Sequence, residues 1–314
     1  MRNQSQLGFR KYYFFLMIAV CSMVACSKSK EDKETDEFPR DLVSFTPYDN
    51  NPVFEGTGDS TSWDEKIRER GFILKEDSTY YLWYTGYDRK TGNEMKYLGL
   101  ATSPDGFSWT RHESNPIHRS LWVEDVFVIK QDSLYYMFAE SRGDSAHLLT
   151  SSDKINWEDQ GGLDIRLKDG EPIKKGAYGT PTVWKEGDIW YLFYERNDAA
   201  VWLATSKDLK VWTNVQDEPV LNCGPELYDK YAVAMNQIVK HNGLYYAYYH
   251  ASAFKDWHEW STNVAVSSDL IHWKKYERNP IMLHNTSSGM LVNDGKVNRL
   301  YTMHPEVRVY MPLK

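Results

Sequence analysis

Hydrophobic and polar residues alternate along this chain with a long, constant period. Aromatic-rich segments read STYYLWYTGY (78–87), SLYYMFAES (133–141), DIWYLFYER (188–196), GLYYAYYHA (243–251) and NRLYTMHPE (298–306). Their matching positions, each 55 residues after the one before, are Tyr80, Tyr135, Trp190, Tyr245 and Leu300. Short apolar segments bounded by turn residues are typical of β-strands. The constant spacing indicates one structural unit repeated five times.

Each of the first four aromatic segments is followed by a strand-like segment that ends at Ser and then by an Asp-led turn. These segments read ATSPDGFSW (101–109), LTSSDKINW (149–157), ATSKDLKVW (204–212) and AVSSDLIHW (265–273). Asp and Ser side chains bond their own backbone in such turns, and Trp opens the next strand. A Pro then follows in the segments NPI (115–117), EPV (218–220) and NPI (279–281), where it suits an edge strand. With an apolar strand ahead of each aromatic one, the unit has four strands.

Five such units fit between about residues 45 and 314. They predict an all-β fold, a five-bladed β-propeller with four-stranded antiparallel blades. The fifth unit lacks its Trp-to-Pro strand, whereas FTPYDNNPVFEG (45–56) carries an NPV before the first unit begins. We expect this N-terminal strand to complete the last blade, which closes the ring and hides a sheet edge. A β-sandwich or a pair of barrels is the alternative, but neither needs a constant period.

The N-terminal residues differ from the rest of the chain. Arg10 and Lys11 precede the apolar run at 12–25, which is short for a membrane span and has the flanks of an export signal. The segment MVAC (23–26) resembles a bacterial lipoprotein cleavage site, which implies that Cys26 becomes lipidated. An ordinary secretory signal is the alternative.

This interpretation divides the chain into a signal peptide (1–25), a charged flexible tether (26–40) and a propeller domain (41–314). It predicts an exported lipoprotein in the outer membrane, on the cell surface or in the periplasm of a Gram-negative bacterium. The membrane contact is the lipid anchor alone.

Charge and cysteine content narrow the range of partners. The 314-residue chain has a formal net charge of −7, which argues against a nucleic-acid partner. After export and lipidation Cys223 is the remaining cysteine, so no intramolecular disulfide is expected. Dinucleotide, P-loop and zinc-hydrolase motifs are absent, so we expect no such cofactor. A structural calcium ion on the propeller axis stays open, and we expect a monomer.

A propeller site is expected where the inner strands begin and the aromatic strands end. The first three inner strands begin in WDEKIRERGFI (63–73), WVEDVFVI (122–129) and AYGTPTVW (177–184), and two aromatic strands end in ESRGD (140–144) and ERND (195–198). Charges near a crowded axis are costly unless they are paired or used. Carboxylates facing each other across a pocket are what glycosidic cleavage requires, and tryptophans there can stack on sugar rings.

The blade patterns DG-x-YYL-x-YT and S-x-D-x-x-x-W resemble those of the five-bladed β-propeller glycoside hydrolases, which include arabinanases, β-xylosidases, invertases and glycoside hydrolase family 43. The resemblance covers the whole mature domain. In that superfamily, acids on the inner strands of the first three blades act as base or nucleophile, as helper Asp and as general-acid Glu. It implies that Asp125 matches the second-blade Asp and that Glu69 lies at the first-blade acid position, with Asp64 close by.

Thr180 falls where the resemblance places the general-acid Glu, so the acid is missing there. Glu195, His250 or His304 would replace it. We therefore expect an exo-acting glycosidase for oligosaccharides or polysaccharide ends, with Glu69, Asp125 and Glu195 as catalytic residues. The candidate substrate-binding residues are Trp63, Asp64, Trp122, Glu124, Arg142, Thr180, Arg196, His250 and His304.

Two other functions stay open at this point. Thr180 in place of Glu favours a sugar-binding propeller without catalysis. A protein-interaction propeller is disfavoured by the acidic, Trp-rich face. Two carboxylates in one pocket favour hydrolysis, whereas a single carboxylate with aromatic platforms favours binding.

Overall fold

The structure is a computed structural model that describes residues 37–88, 95–174 and 177–313. The predicted signal peptide, Cys26 and the tether up to residue 36 lie outside the described residues. Within them, no helix is long and apolar enough to cross a membrane.

Five antiparallel sheets are arranged as the blades of a propeller, which confirms the predicted fold. Blade one contains β2 (Lys66–Ile67), β3 (Phe72–Glu76), β4 (Thr79–Tyr87), β5 (Tyr97–Ser103) and β6 (Thr110–Arg111). Blade two contains β7 (Glu124–Gln131), β8 (Leu134–Ser141), β9 (Ser145–Ser151) and β10 (Glu158–Gly162). Blade three contains β12 (Gly179–Glu186), β13 (Ile189–Glu195), β14 (Ala200–Ser206), β15 (Val211–Asn214) and two short additions, β11 (Asp164–Arg166) and β16 (Leu221–Asn222).

Blade four contains β17 (Ala232–His241), β18 (Leu244–Ser252), β19 (Ser261–Ser267) and β20 (Lys274–Lys275). Blade five contains β21 (Met290–Asn293), β22 (Asn298–Met303), β23 (Val307–Pro312) and the N-terminal β1 (Phe45–Pro47). A short helix, α1 (Arg40–Val43), precedes β1, and a 3-10 turn spans Leu227–Asp229. The inner strands β3, β7, β12, β17 and β21 pack against one another around the axis.

The N-terminal strand closes the ring as predicted. Phe45 pairs with Pro312, and Phe54 bridges to Val307 farther along. The side chain of Asn51 accepts from the N–H of Val309 and donates to its carbonyl oxygen, both at 2.8 Å. The Asn of the NPI segments makes the same paired contact in blades one and four. The Asn-Pro motif therefore extends blades one, four and five beyond their short outer strands.

The Ser and Asp of the repeated turn bond the backbone of that turn. In blade two, Ser151 Oγ accepts from the N–H groups of Asp153 and Lys154, at 3.2 and 2.9 Å. Asp153 Oδ1 accepts from the next two N–H groups, which holds the pKa of this carboxyl below its usual range. Equivalent bonds recur in blades one, three and four. The same bonds from side chain to backbone thus shape this turn in four of the five blades.

The packed domain begins slightly before the predicted boundary at residue 41. Phe38 is 4 % exposed, and its ring lies 4.8 Å from that of Tyr276 and 6.3 Å from that of Tyr246. Residues 37–40 therefore pack on blade four and are not part of a tether.

Phe54→Ala tests the ring closure. Phe54 is 5 % exposed, with its ring 4.9 Å from Tyr84 and 4.4 Å from the Arg111 guanidinium. Removing a buried Phe side chain lowers the free energy of unfolding by about 3–5 kcal/mol. Urea unfolding measures this, with Leu227→Ala as the control because Leu227 is 76 % exposed and its loss changes little. A loss below about 1 kcal/mol for Phe54→Ala would contradict the proposed closure.

Candidate active site

Side chains from all five blades line one pocket on the axis, with a cavity volume of about 210 Å³. It lies at the predicted face, where inner strands begin and aromatic strands end. All three predicted catalytic residues, Glu69, Asp125 and Glu195, line it together. The other lining residues are Arg68, Glu124, Glu140, Asp144, Thr180, Asn197, Asp198, His250, Trp257, Trp260, Ser287, Ser288 and His304.

Equivalent positions on the first three inner strands have an unusual backbone. Arg70, Asp125 and Thr180 lie 55 residues apart and have φ values of +56°, +50° and +46°. Positive φ is uncommon for residues other than glycine and is often found at functional sites. The pairing register of β7 and β12 shifts at Asp125 and Thr180, and such bulges redirect a side chain. Arg70, not Glu69, is therefore the first-blade equivalent of Asp125.

Asp125 combines burial with an unused oxygen atom. The residue is 8 % exposed, and its Oδ2 accepts from Thr180 Oγ1 at 3.2 Å. Its Oδ1 has no hydrogen-bond partner among the described residues. Burial raises the pKa of Asp125 to about 7, with the charge of Arg70 opposing the rise and that of Glu124 adding to it. The carboxyl thus exchanges its proton near neutral pH and has an oxygen available for a ligand.

Two further acids hold the start of β12 in place. Glu195 accepts from the N–H of Gly179 at 3.0 Å and, through its other oxygen, from the N–H of Asp198. Glu140 Oε2 accepts from the N–H of Thr180 at 3.0 Å. A Cβ on residue 179 would collide with the carboxylates of Glu140 and Glu195, so a larger residue there would displace them. Both oxygens of Glu195 are thus engaged by the backbone, which suits a positioning role better than proton donation.

Glu140 and Asp198, in the segments ESRGD and ERND, are pocket acids that were not predicted as site residues. Burial, and then the charges of Asp125 and Glu124, raise the pKa of Glu140 well above its usual range. Burial and the charge of Glu195 likewise raise the pKa of Asp198 well above its usual range. Their position at the ends of aromatic strands was the signal that could have identified them.

Arg68 bridges two acids at the pocket wall. Its guanidinium lies 2.9 Å from Glu69 and 3.4 Å from Glu124. Glu124 is 5 % exposed, burial raises its pKa, and its Oε2 has no partner among the described residues. Glu124 Oε2 and Asp125 Oδ1 are therefore two buried oxygen atoms available for hydrogen bonds with a ligand.

The two histidines of the pocket are poor proton donors. Burial, and then the charges of Arg70 and His304, lower the pKa of His250 to about 3. Burial also lowers the pKa of His304. His250 Nδ1 pairs with Asn236 at 3.0 Å, and His304 Nδ1 pairs with Ser287 at 3.3 Å. Neutral imidazoles at neutral pH argue against a histidine as the replacement acid.

Two predicted binding residues of blade one do not line the pocket. Asp64 is 1 % exposed, accepts from Tyr84 at 3.0 Å and forms an ion pair with Arg111 at 2.8 Å. Trp63 stacks on Tyr84 with a ring separation of 5.7 Å. These contacts use both side chains to join β4 to the outer strand of the blade.

Three further predicted binding residues do not line the pocket: Trp122, Arg142 and Arg196. The Arg142 guanidinium lies 5.8 Å from the ring of Trp122, and that of Arg196 lies 5.7 Å from the ring of Trp202. The aromatic residues that do line the pocket are Trp257 and Trp260. They lie in the segment KDWHEW (255–260), in the loop after the fourth aromatic strand β18.

This arrangement suits proton transfer among carboxyl groups. Among residues 37–88, 95–174 and 177–313, no group of three or more His, Cys, Asp or Glu side chains is arranged to hold a metal ion. The calcium ion considered for the axis stays a prediction.

Comparison with known proteins gives one curated relative and many structures. A 1,2-β-oligomannan phosphorylase from Thermoanaerobacter sp. (strain X514) is 27 % identical over 228 residues, which are 67 % of this chain and 73 % of that protein. No family model matches the chain.

A putative glycoside hydrolase from Parabacteroides distasonis superposes with a TM-score of 0.69 and 15 % identity, over 90 % of this chain and 99 % of that one. A second structure comes from the GH130 family of mannoside phosphorylases, which contains glycoside hydrolases that target β-1,2 mannosidic linkages in Candida mannan. It superposes with a TM-score of 0.64 and 15 % identity, over 87 % of this chain and 95 % of that one. The resemblance to five-bladed propeller glycosidases is therefore confirmed at the level of the fold.

Proposed function

We propose that this protein is an exo-acting glycoside hydrolase that removes the terminal sugar from β-1,2-linked mannosides. The comparisons support an enzyme that acts on glycosides. The observation that carries hydrolysis is the ring of carboxyl groups around Asp125 in one pocket. The sugar class is taken from the relatives, because the geometry of the pocket alone does not identify a sugar.

Water is a better acceptor than phosphate in this pocket. Among the residues that the structure describes, its lining contains seven acids and one arginine, Arg68, which already bridges Glu69 and Glu124. A phosphate dianion needs unpaired cations or N–H donors close to it. Carboxyl groups on the surrounding blades would repel it.

Asp125 is the group that we assign as proton donor to the glycosidic oxygen. Its pKa of about 7 leaves a large protonated fraction at neutral pH, and its Oδ1 has no competing partner. Glu69, ion-paired with Arg68 at the pocket wall, is assigned as the base toward water. Glu195 then serves to position Gly179 and Asp198, which revises the role expected from the sequence.

The small pocket favours action at a chain end. A cavity of about 210 Å³ is below the range of about 300–1,000 Å³ that encloses drug-sized ligands. It fits a terminal ring better than the interior of a polysaccharide.

A location on the cell surface through lipidated Cys26 is proposed from the sequence alone.

A phosphorylase is the second candidate, because the curated relative is one. The two reactions differ in product: hydrolysis of β-1,2-mannobiose gives mannose only, whereas phosphorolysis gives mannose 1-phosphate as well. We expect mannose release at a rate independent of phosphate between 0 and about 50 mM, well above a typical KM. Chromatography of the products measures both sugars. Mannose 1-phosphate, or a rate that requires phosphate, would refute hydrolysis, and no turnover would favour the non-catalytic sugar-binding propeller.

A further inference from the structure

Aromatic side chains line only one side of the axial pocket. Among its described lining residues, blades one to three contribute charged and polar groups, whereas Trp257 and Trp260 come from the loop after β18 of blade four. We infer that the indole of Trp257 is a binding platform for the sugar ring on the leaving-group side of the scissile bond. This inference rests on the proposed function and identifies the site that holds the rest of the substrate.

Trp257 is available for a ligand, whereas Trp260 is already committed. The Trp260 ring packs edge-on against His250 with a ring separation of 4.9 Å, and the backbone N–H of Trp260 donates to Asn285 Oδ1 at 2.8 Å. The ring centroid of Trp257 lies 6.2 Å from that of Trp260. Trp257 lines the pocket, yet 40 % of its surface remains exposed. Phe254 of the same loop is 39 % exposed. An exposed apolar surface that runs from a pocket onto its rim is typical of a binding site.

The loop that carries Trp257 is held in its shape by its own contacts. Ser252 Oγ accepts from the N–H of Phe254 at 3.1 Å and donates to the carbonyl of Glu259 at 2.9 Å, which joins the two ends of the loop. The rings of Phe254 and His258 lie 4.0 Å apart, and Asp256 pairs with His258 at 2.6 Å. The platform is therefore preorganised, which reduces the entropy lost on binding.

The backbone of Trp257 supports the same conclusion. Its φ is +53°, in the left-handed region that bulky residues seldom adopt. Such strain persists only where surrounding contacts enforce it, and it concentrates at functional sites. Here the strain places an indole at the pocket mouth.

Sugar chemistry fits this asymmetry. A pyranose ring has faces rich in C–H groups and a rim of hydroxyl groups. The terminal ring can donate a hydroxyl hydrogen to Glu124 Oε2, which has no partner among the described residues, while the Asp125 carboxyl donates to the glycosidic oxygen. A pocket of this volume leaves the next ring at the mouth, where its C–H face can pack on Trp257.

Calorimetric titration of the full chain tests the platform. In an Asp125→Asn background, which slows turnover by the expected 10²–10⁴-fold, mannose and β-1,2-mannobiose are the two probes. Adding Trp257→Ala is expected to weaken mannobiose binding about tenfold, or about 1.4 kcal/mol, through loss of stacking on the indole, and to change mannose binding less than about twofold. Trp257→Phe should restore most of the loss, and Leu227→Ala, at an exposed apolar side chain outside the pocket, should change neither affinity.

Each other outcome overturns the inference in a different way. Unchanged mannobiose affinity would show that no sugar contacts Trp257. An equal loss for both probes would place Trp257 at the terminal-sugar site. If the Asp125→Asn parent binds neither probe, the proposed function itself fails, and this result is distinct from failure of the platform alone.

Discussion

Asp125→Asn lowers kcat for β-1,2-mannobiose by about 10²–10⁴-fold, because a positioned general acid contributes that much. The amide has nearly the shape of the carboxyl and can keep the contact with Thr180, so the fold and substrate affinity should change little. Release of mannose measured at substrate saturation gives the effect. The matched control is Asp132→Asn, at an exposed turn residue of blade two, which should leave kcat unchanged. Undiminished turnover by Asp125→Asn would remove Asp125 from the chemistry.

The pH dependence of the wild-type enzyme follows from the same assignment. The donor must be protonated, and the pKa of Asp125 is raised to about 7, so activity should fall as the pH rises through about 7. The residual activity of Asp125→Asn should lack this decline. A wild-type rate that is still rising at pH 8 would contradict the assignment.

Arg70→Met should lower the free energy of unfolding by about 3–5 kcal/mol, as expected when one partner of a buried charged network is lost. Arg70 is 1 % exposed and donates to the carbonyl of Asp125 at 3.1 Å. It also donates to the carbonyl of Pro181 and to Thr182 Oγ1, both at 2.6 Å. Removing the guanidinium leaves these buried acceptors unpaired at the junction of the first three blades.

The same substitution should change the pH profile. The charge of Arg70 lowers the pKa of Asp125, so its loss raises that pKa above about 7 and moves the decline in activity to higher pH. Arg70→Lys keeps the charge and should keep the profile. For stability, Arg166→Met is the control, because its ion pair with Asp164 is solvent-exposed and worth about 0–1 kcal/mol. Urea unfolding of Arg70→Met within about 1 kcal/mol of the wild type would show that Arg70 does not hold the blades together.

The fold could be predicted because the interactions that specify it lie within short segments that recur along the chain. Ser151 and Asp153 bond the backbone of their own turn, and the Asn of the Asn-Pro motif bonds the neighbouring strand in blades one, four and five. Once the 55-residue period is recognised, the number of repeats gives the number of propeller blades. The position of Asp125 in the pocket followed from that period and one motif.

The site was harder to predict because its contacts cross between blades and strands. Asp64 resembles a pocket acid in the sequence, but its charge pairs with Arg111, 47 residues away. The 55-residue period itself places Arg70 at the position of Asp125, so Glu69, which was expected there, is one residue out of register. Burial, which raises the pKa of Glu140, depends on packing that no single segment encodes.

The most direct test of the account is a crystal structure of Asp125→Asn with β-1,2-mannobiose bound. We predict the non-reducing ring in the axial pocket, with the glycosidic oxygen about 2.6–3.2 Å from the side-chain amide at position 125. A sugar bound elsewhere on the propeller, or a glycosidic oxygen beyond hydrogen-bond reach of that amide, would contradict the proposal that acids from separate blades cleave a terminal glycoside on the axis.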